Sequence, residues 1–326
     1  MLDLLLLLSS LLAGPPVGRP AAPSPEEAAA LSALKGKVRG TIVWSSSREG
    51  NHKIFAMDAD GSDTRRLTSG NKTDWYARIS PDGKRVLFTR SKLDWQPETD
   101  ANFPERWDTW VVGIDGKNEK QLIPKSTWAS WAEGGRKIVF ARGSDVLLCN
   151  ADGSGEEKLI DGSKELKGGI AQNPHLSDDG KLVAITLRGS QREVGVFNLS
   201  SRKWQASAEG GGCQMNFFPG SHKAYRVNPT GNGGTELFAY DLNADGSTPA
   251  NKDQKWIDLP GRRSHEYFPQ VSNDGKWLVW CATDRGHDHD IADYEVMLWK
   301  IGTPASQATR LTFHSGNDRW PDFHAE

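Results

Sequence analysis

From residue 40 onward, apolar and polar residues alternate in short runs, and each run ends at a cluster of Gly, Asp, Asn, Ser or Pro. A period of two sends successive side chains to opposite faces of an extended segment, so the pattern predicts many β-strands joined by tight turns. The runs also repeat. Tyr76–Arg90 (YARISPDGKRVLFTR) is echoed by Trp128–Arg142 (WASWAEGGRKIVFAR), Asn173–Thr186 (NPHLSDDGKLVAIT), Gln214–Val227 (QMNFFPGSHKAYRV) and Phe268–Cys281 (FPQVSNDGKWLVWC). Each copy joins an alternating strand to a more apolar one across an Asp-Gly turn or its equivalent. A third strand follows most copies, as in KIFAMDADGSD and TWVVGIDGKN, and then a short fourth, as in TRRLT and ATRLT.

Four short antiparallel strands recurring every 40 to 55 residues or so, at roughly the spacing known for such repeats, form the unit of a β-propeller. The expected fold is therefore all-β: a six-bladed β-propeller of four-stranded antiparallel blades over residues 38–326. The sixth copy supplies only its first strand, Trp320–Glu326, and the matching second strand is Gly40–Ser47. Pairing of these N- and C-terminal strands is expected to close the ring and cover an open edge. The stretch DADGSD (Asp58–Asp63) opens like a calcium loop, but Ser69 stands where such a loop needs its Glu, so it is read as a hairpin turn.

The chain opens with MLDLLLLLSSLLAG, apolar for about a dozen residues, too short for a spanning helix of roughly 20 and suited to the core of a secretory signal. Residues 1–22 are read as a signal peptide, although Asp3 stands where a basic residue is usual. Pro15 occupies the position where a lipoprotein would carry Cys. A periplasmic or secreted protein is expected, with no transmembrane segment in the mature chain. Residues 23–37 are read as a linker and a short helix near residues 25–35, started by Ser24, Pro25 and Glu27 as N-cap, first-turn Pro and capping-box acid.

Composition narrows the function classes. The 40 basic and 42 acidic residues leave a net charge of -2, which argues against nucleic acid as a partner. A mean hydropathy of -0.59 excludes a polytopic membrane protein. Three cysteines are no disulfide framework, and Cys149 and Cys281 lie in apolar runs as small buried hydrophobes. A monomer is expected.

The stretch NHKIFAMDADGSDTRRLT followed by ISPDGKRVLFTR resembles the repeat of the bacterial TolB-type six-bladed propellers, a PD40 or WD40-like repeat. The likeness covers about residues 38–326, without the N-terminal α/β domain that TolB carries. It implies a propeller fold and a bacterial envelope setting.

In a propeller blade, the loop from strand two to strand three and the loop leading into the next blade share one face. Three segments should therefore meet there: the acidic and His-rich ATDRGHDHDIADYE (Ala282–Glu295), FHSGNDR (Phe313–Arg319) and GRRSHEY (Gly261–Tyr267). The long loop Ser91–Asp108 joins them, with aromatic residues suited to contact. Trp95, Phe103, Trp107, His265 and Glu266 are the candidate partner-binding residues. Asp284, His287, Asp288, His289, Asp290, Asp293 and His314 are the candidate metal ligands. The carboxylates would suit Ca2+ and the histidines a transition metal. If the stretch is extended, His287 and His289 face one way and Asp288 and Asp290 the other, so the four cannot serve one ion. The structural reading has these side chains capping turns and pairing with Arg263, Arg285 or Arg319.

A second candidate is the central channel. Aligning the first strands places Arg78, Ser130, His175, Asn216, Gln270 and Asp322 at one level, a polar ring that would hold a small ligand or line a water-filled tunnel. Tyr76, Trp128, Phe268 and Trp320, one pleat away, are read as packing between blades.

The chain contains no nucleophile elbow, Walker loop, dinucleotide fingerprint or H-E-x-x-H motif. The expected function is thus an exported, non-catalytic propeller binding a protein or peptide partner through its loop-rich face. The alternative is a metal-dependent enzyme of polysaccharide lyase or hydrolase type built on the His/Asp cluster.

Overall fold

The computed structural model describes residues 15, 17–190, 192–208, 212–229, 234–248, 255–259, 264–284 and 288–326. The alternating runs form strands throughout, and their turns show why. In three hairpins a Ser hydroxyl donates to the Asp two residues on: Ser80 to Asp82 (2.5 Å), Ser177 to Asp179 (2.7 Å) and Ser272 to Asp274 (2.6 Å). The following Gly83, Gly180 and Gly275 take φ of 72°, 71° and 71°, a left-handed conformation that glycine adopts without steric cost. At DADGSD, Ser62 donates through its N–H (3.0 Å) and its hydroxyl (2.5 Å) to Asp60, which makes it a turn of the same kind. The sequence-level cap also forms: Ser24 and Glu27 bond reciprocally at the start of the helix Pro25–Leu34.

The strands assemble into a propeller arrangement, but the sheet count differs from the expected six. Only four four-stranded sheets stand as separate blades, and the eight strands between Cys213 and Arg310 form one continuous sheet. The joint is a single parallel bridge, Thr235 to His265, supported by the Thr235 hydroxyl donating to the Glu266 carbonyl at 2.8 Å. Its cause is local. The outer strand Lys255–Ile257 covers only Leu237 and Phe238 of the strand Thr235–Asp241, and the uncovered edge at Thr235 takes the next strand as partner.

The strand Asp318–Ala325 pairs antiparallel with Gly40–Ser46, from Gly40 opposite Ala325 to Ser46 opposite Asp318. This pairing supplies the innermost strand of one open sheet and closes no sheet on itself, which corrects the expected closure. Packing between innermost strands holds the ring together instead: Asp74–Ile79, Thr127–Ala132, Ile170–Leu176, Cys213–Phe217, His265–Val271 and Asp318–Ala325 touch in that order, and the last meets the first.

All six innermost strands carry the same device. Each breaks register at a bulge, and each bulge holds a residue at positive φ: Tyr76 (57°), Trp128 (60°), Asn173 (41°), Gln214 (57°), Phe268 (60°) and Trp320 (52°). A bulky residue pays of order 1–2 kcal/mol for that conformation. Here it aims the side chain at the ring axis. Trp320 lies with ring centroids 4.4 Å from Phe268, 5.0 Å from Tyr76 and 5.1 Å from Trp128, and Trp75 packs 4.3 Å from Trp128. These buried rings fill the centre at mid-depth. The water-filled tunnel allowed for in the sequence reading is therefore interrupted by an aromatic plug.

Among the described residues, no helix is long and apolar enough to cross a membrane. The proposed signal segment falls largely on residues outside those described. Gly18 and Ala21, however, donate backbone hydrogen bonds to Arg48 and Phe313, and Arg19 exchanges two bonds with Ser315. A boundary after residue 22 would cut this bonded segment away. Cys149, Cys213 and Cys281 are all buried thiols.

Candidate functional site

Above the plug, on the face of the strand-two-to-three loops, the long loop Ser91–Asp108 folds over the channel mouth. Glu98, buried at 8% exposure, is the pin. One of its oxygens meets His289 Nδ1 at 2.8 Å, and the other accepts from Trp320 Nε1 at 2.8 Å and Arg319 at 3.3 Å. The backbone N–H of Glu98 donates to both Asp290 oxygens, at 3.0 and 3.1 Å. Arg319, with no exposed surface, completes the network by donating to Asp290 at 2.7 Å and to the His289 carbonyl at 2.8 Å. Burial opposes the charge on Glu98, but His289 and Arg319 hold its carboxyl below the usual range.

This geometry gives partners to three of the four HDHD residues. Residues 289–292 form turns rather than an extended segment, so the expected alternation of side chains does not apply there. Asp288 accepts from the N–H groups of Asp290 and Ile291 and caps its own turn. His289 and Asp290 bind Glu98 and Arg319, as the structural reading with Arg319 supposed. His287, Arg263 and Arg285 lie outside the described residues. Asp284 and Asp293 belong to no group of metal-ligand spacing among the described residues. Among the described candidates, only His314 belongs to a group with metal-ligand spacing.

One cluster with metal-ligand spacing does exist, and it includes His314. Glu295, His314 and Asp318, all buried, present one donor atom each within 4.8 Å of one another. Their donors already have protein partners. His314 Nδ1 accepts from the Gly316 N–H at 2.8 Å, which puts the ring proton on Nε2, where it is donated to Asp318 at 3.0 Å. Glu295 accepts from Arg310 and from the Thr312 hydroxyl, both at 2.5 Å. Burial, reinforced by the neighbouring Asp318 carboxylate, raises the Glu295 carboxyl well above the usual carboxylate range.

Two candidate partner-binding residues are corrected by burial. Trp107 has no exposed surface and packs edge-on against Trp75 at 5.5 Å, because it begins a strand instead of ending the loop. Glu266 has no exposed surface either: one oxygen accepts from the Leu259 N–H at 2.8 Å, and burial pushes its carboxyl up to about 8. A raised carboxyl contributes its full stability below its ordinary value of 4.5 and loses that contribution as the pH rises through about 8. Glu266→Gln cannot ionise, so between pH 5 and pH 9 it should lose roughly 4 kcal/mol less stability than the wild type. Urea unfolding at the two pH values measures the difference, and parallel losses would show that Glu266 is already ionised at pH 5. Of the remaining candidates, Trp95 and His265 are half-buried and Phe103 is exposed.

Sequence reasoning missed Glu98, Glu295, Asp318 and Asp74. A signal for some of them was present: an acid stands two residues before the bulge in three copies, as Asp74, Glu266 and Asp318. Asp74 and Asp318 use the position for buried ion pairs, with Arg90 at 2.7 Å and with Arg48 at 3.6 Å.

Below the plug, at the hairpin-turn face, the channel opens into a dish of about 270 Å3. Five of the six expected ring residues line it: Arg78, Ser130, His175, Gln270 and Asp322. Asn216 does not line the dish but holds the equivalent place in its strand. All six stand at the first paired position after the bulge, opposite Leu87, Val139, Ala184, Tyr225, Val279 and Val43.

No family model matches the chain. Over 172 residues it is 23% identical to a TolB homologue of Chlorobium luteolum, a stretch covering 52% of this chain and 37% of that protein. Over 155 residues it is 24% identical to a TolB homologue of Chlorobium chlorochromatii, covering 48% and 33%. The matched stretches thus span little more than a third of these relatives at most. Among solved structures, a TolB-designated protein of Agrobacterium tumefaciens superposes with a TM-score of 0.60 at 15% identity, over 88% of this chain and 99% of that one. A puromycin-hydrolysing peptidase of Mycobacterium tuberculosis superposes with a TM-score of 0.50 at 15% identity, over 92% and 45%. What these likenesses establish is a shared propeller fold, related to that of the TolB homologues.

Proposed function

We propose that this chain is a non-catalytic, partner-binding propeller of the cell envelope, exported to the periplasm or beyond, which holds a protein or peptide on its loop face. One observation carries the reading. Among the described residues only four large hydrophobic side chains are exposed, and three of them, Leu93 (59%), Phe103 (54%) and Ile291 (62%), stand on the two loops pinned together by Glu98, Asp290 and Arg319. Exposed apolar groups on a rigid, polar-rimmed platform are what a protein interface uses. Trp95 and the charged Lys72, Asp94, Asp100 and Arg106 flank Leu93 and supply the polar rim. The TolB likeness supports the envelope setting.

The test is capture from envelope fractions with the wild type and with a Leu93→Ser/Phe103→Ser/Ile291→Ser variant. The variant is expected to melt with the wild type, since exposed positions seldom cost more than about 0.5 kcal/mol each, and to lose the captured partner. Equal capture by both proteins would remove the loop face from consideration.

A second reading, metal-dependent chemistry, has the Glu295, His314 and Asp318 cluster in its favour. An ion there, Ca2+ or a transition metal, would have to displace the Thr312 hydroxyl and Arg310 from Glu295 and the His314 proton from Asp318. Stoichiometric metal in elemental analysis, lost in His314→Gln, would establish it.

A further inference from the structure

The dish at the opposite end of the channel is built as a binding site with its polar groups left open. Its polar residues Arg78, Ser130, His175, Gln270 and Asp322 follow the bulges that carry the aromatic plug, so they form its inner floor. Arg78 is 6% exposed, its guanidinium carbon lies 3.9 Å from the centre of the Tyr76 ring, and one of its terminal nitrogens donates to the Ala77 carbonyl at 2.7 Å. The other terminal nitrogen is buried with no partner. A guanidinium N–H in that position costs stability unless an acceptor completes it.

Two more donors face the same cavity. His175 Nδ1 accepts a long bond from the Phe217 N–H at 3.5 Å, which leaves the proton on Nε2. Burial and then Arg78 pull the His175 pKa down to about 4, so the ring is neutral at pH 7. Gln270 uses its carbonyl oxygen toward the Tyr225 hydroxyl at 3.5 Å, which leaves its amide N–H groups for the cavity. One carboxyl acceptor balances them; burial raises its pKa and Arg78 opposes that rise. Asp322 accepts from the N–H groups of Ile79 at 2.7 Å and Phe323 at 3.0 Å, one on each oxygen, and a carboxylate oxygen accommodates a second donor. The wall beyond this polar floor is apolar, with Trp131, Phe217, Phe218 and Val271. The volume suits a small organic molecule rather than a single water.

We infer that this dish binds a small carboxylate that carries a hydrogen-bond donor on the adjacent carbon and an apolar side chain. The carboxylate meets Arg78, flanked by His175 and Gln270. The neighbouring ammonium, hydroxyl or amide N–H meets Asp322, and the side chain lies against Trp131 and Phe218. A bidentate-capable guanidinium held flat by an aromatic ring is the side chain best suited to a carboxylate. The six equivalent ring positions hold six different residues, so the ring presents one polar pattern from one direction instead of a symmetric pore. A free amino or hydroxy acid and the C-terminal residue of a peptide share this chemistry.

Isothermal calorimetry with five probes separates these sources. L-leucine, 2-hydroxy-4-methylpentanoate and N-acetyl-L-leucine each carry both groups, 4-methylpentanoate lacks the donor, and leucinamide lacks the carboxylate. The first three are expected to bind, and leucinamide is expected to be weaker by at least about tenfold, the lower end for a charged hydrogen bond. Tighter binding of N-acetyl-L-leucine than of leucine would assign the site to a chain terminus, and the reverse to a free amino acid. Arg78→Gln should weaken all carboxylates by about tenfold or more. Asp322→Asn should weaken only the probes with a donor, and it reads the site even where Arg78→Gln fails to fold. Absence of binding by every carboxylate at millimolar concentration, or binding that survives both substitutions, would overturn the assignment. The loop-face reading is unaffected by either outcome, since none of these residues reaches that face.

Discussion

Arg319→Met is expected to destabilise the protein by about 3–5 kcal/mol at neutral pH, the cost of removing one partner from a buried charge network. Arg319 has no exposed surface and is the cation between Glu98 and Asp290, at 3.3 and 2.7 Å. Without it the two carboxylates share one site, and the lid loop and the 288–294 loop repel where they now bind. The pH dependence identifies the mechanism. In the wild type the folded pKa of Glu98 lies below its ordinary 4.5, so the stability it contributes is present above that pH and is lost as the pH falls through the folded value. In the variant the like-charged neighbour and burial push the Glu98 carboxyl the other way. The variant's penalty is therefore largest at neutral pH and shrinks as the carboxylates protonate. Urea unfolding of both proteins at pH 7 and pH 4.5 reads this directly. A penalty that stays the same at the two pH values would mean that lost packing of the arginine stem, and not the charge network, was responsible. The same substitution should also weaken partner capture, because Leu93, Phe103 and Ile291 ride on the loops that Arg319 ties together.

What the sequence made legible, and what it did not, divides along the range of the interactions. Turns such as Ser80–Gly83 and the cap at Ser24 are settled within five residues, so residue identity alone predicts them. Alternation within each run places the strands, and repeat alignment puts Arg78, Ser130, His175, Asn216, Gln270 and Asp322 at one level, where the strand register also has them. The lid was not legible. Glu98 meets its partners 191 to 222 residues away, and nothing in ETDAN distinguishes it from the other acids of that loop. The six positive-φ bulges were hidden for a different reason: the four aromatic and two amide residues they hold are ordinary inside a strand, and only the ring axis that all six strands share gives the strained conformation its return. The merged sheet depends on how far a three-residue outer strand reaches along its neighbour, a register detail that periodicity does not encode. In HDHD, counting titratable groups suggested metal chemistry. Asp288, His289 and Asp290 find their partners in their own turn and at the distant Arg319 and Glu98, and the spacing showed neither.

Trp320→Ala tests whether the aromatic plug holds the ring. Its expected cost is about 3–5 kcal/mol, the range for deleting a large buried aromatic side chain. Two contributions can be separated. The indole N–H donates to Glu98 at 2.8 Å, so Trp320→Phe, which keeps an aromatic ring but no donor, should cost only about 1.5–3 kcal/mol, the worth of a hydrogen bond to a charged group. The remainder is packing against Phe268, Tyr76 and Trp128, each on a different sheet. Backbone hydrogen bonds between neighbouring sheets are few: besides the bridge at Thr235, Asp74 donates to His52, Ser126 to Trp107, Ala171 to Gly143 and Asp318 to Tyr294. Side chains at the axis add to this coupling, and Trp320 touches three other sheets at once. If so, Trp320→Ala should broaden the urea transition as well as shift it, because sheets that unfold together would begin to unfold separately. A loss no larger than that of Trp320→Phe, with the transition as sharp as in the wild type, would mean that the outer apolar clusters between sheets couple the ring and that the plug serves only to seal the dish from the lid.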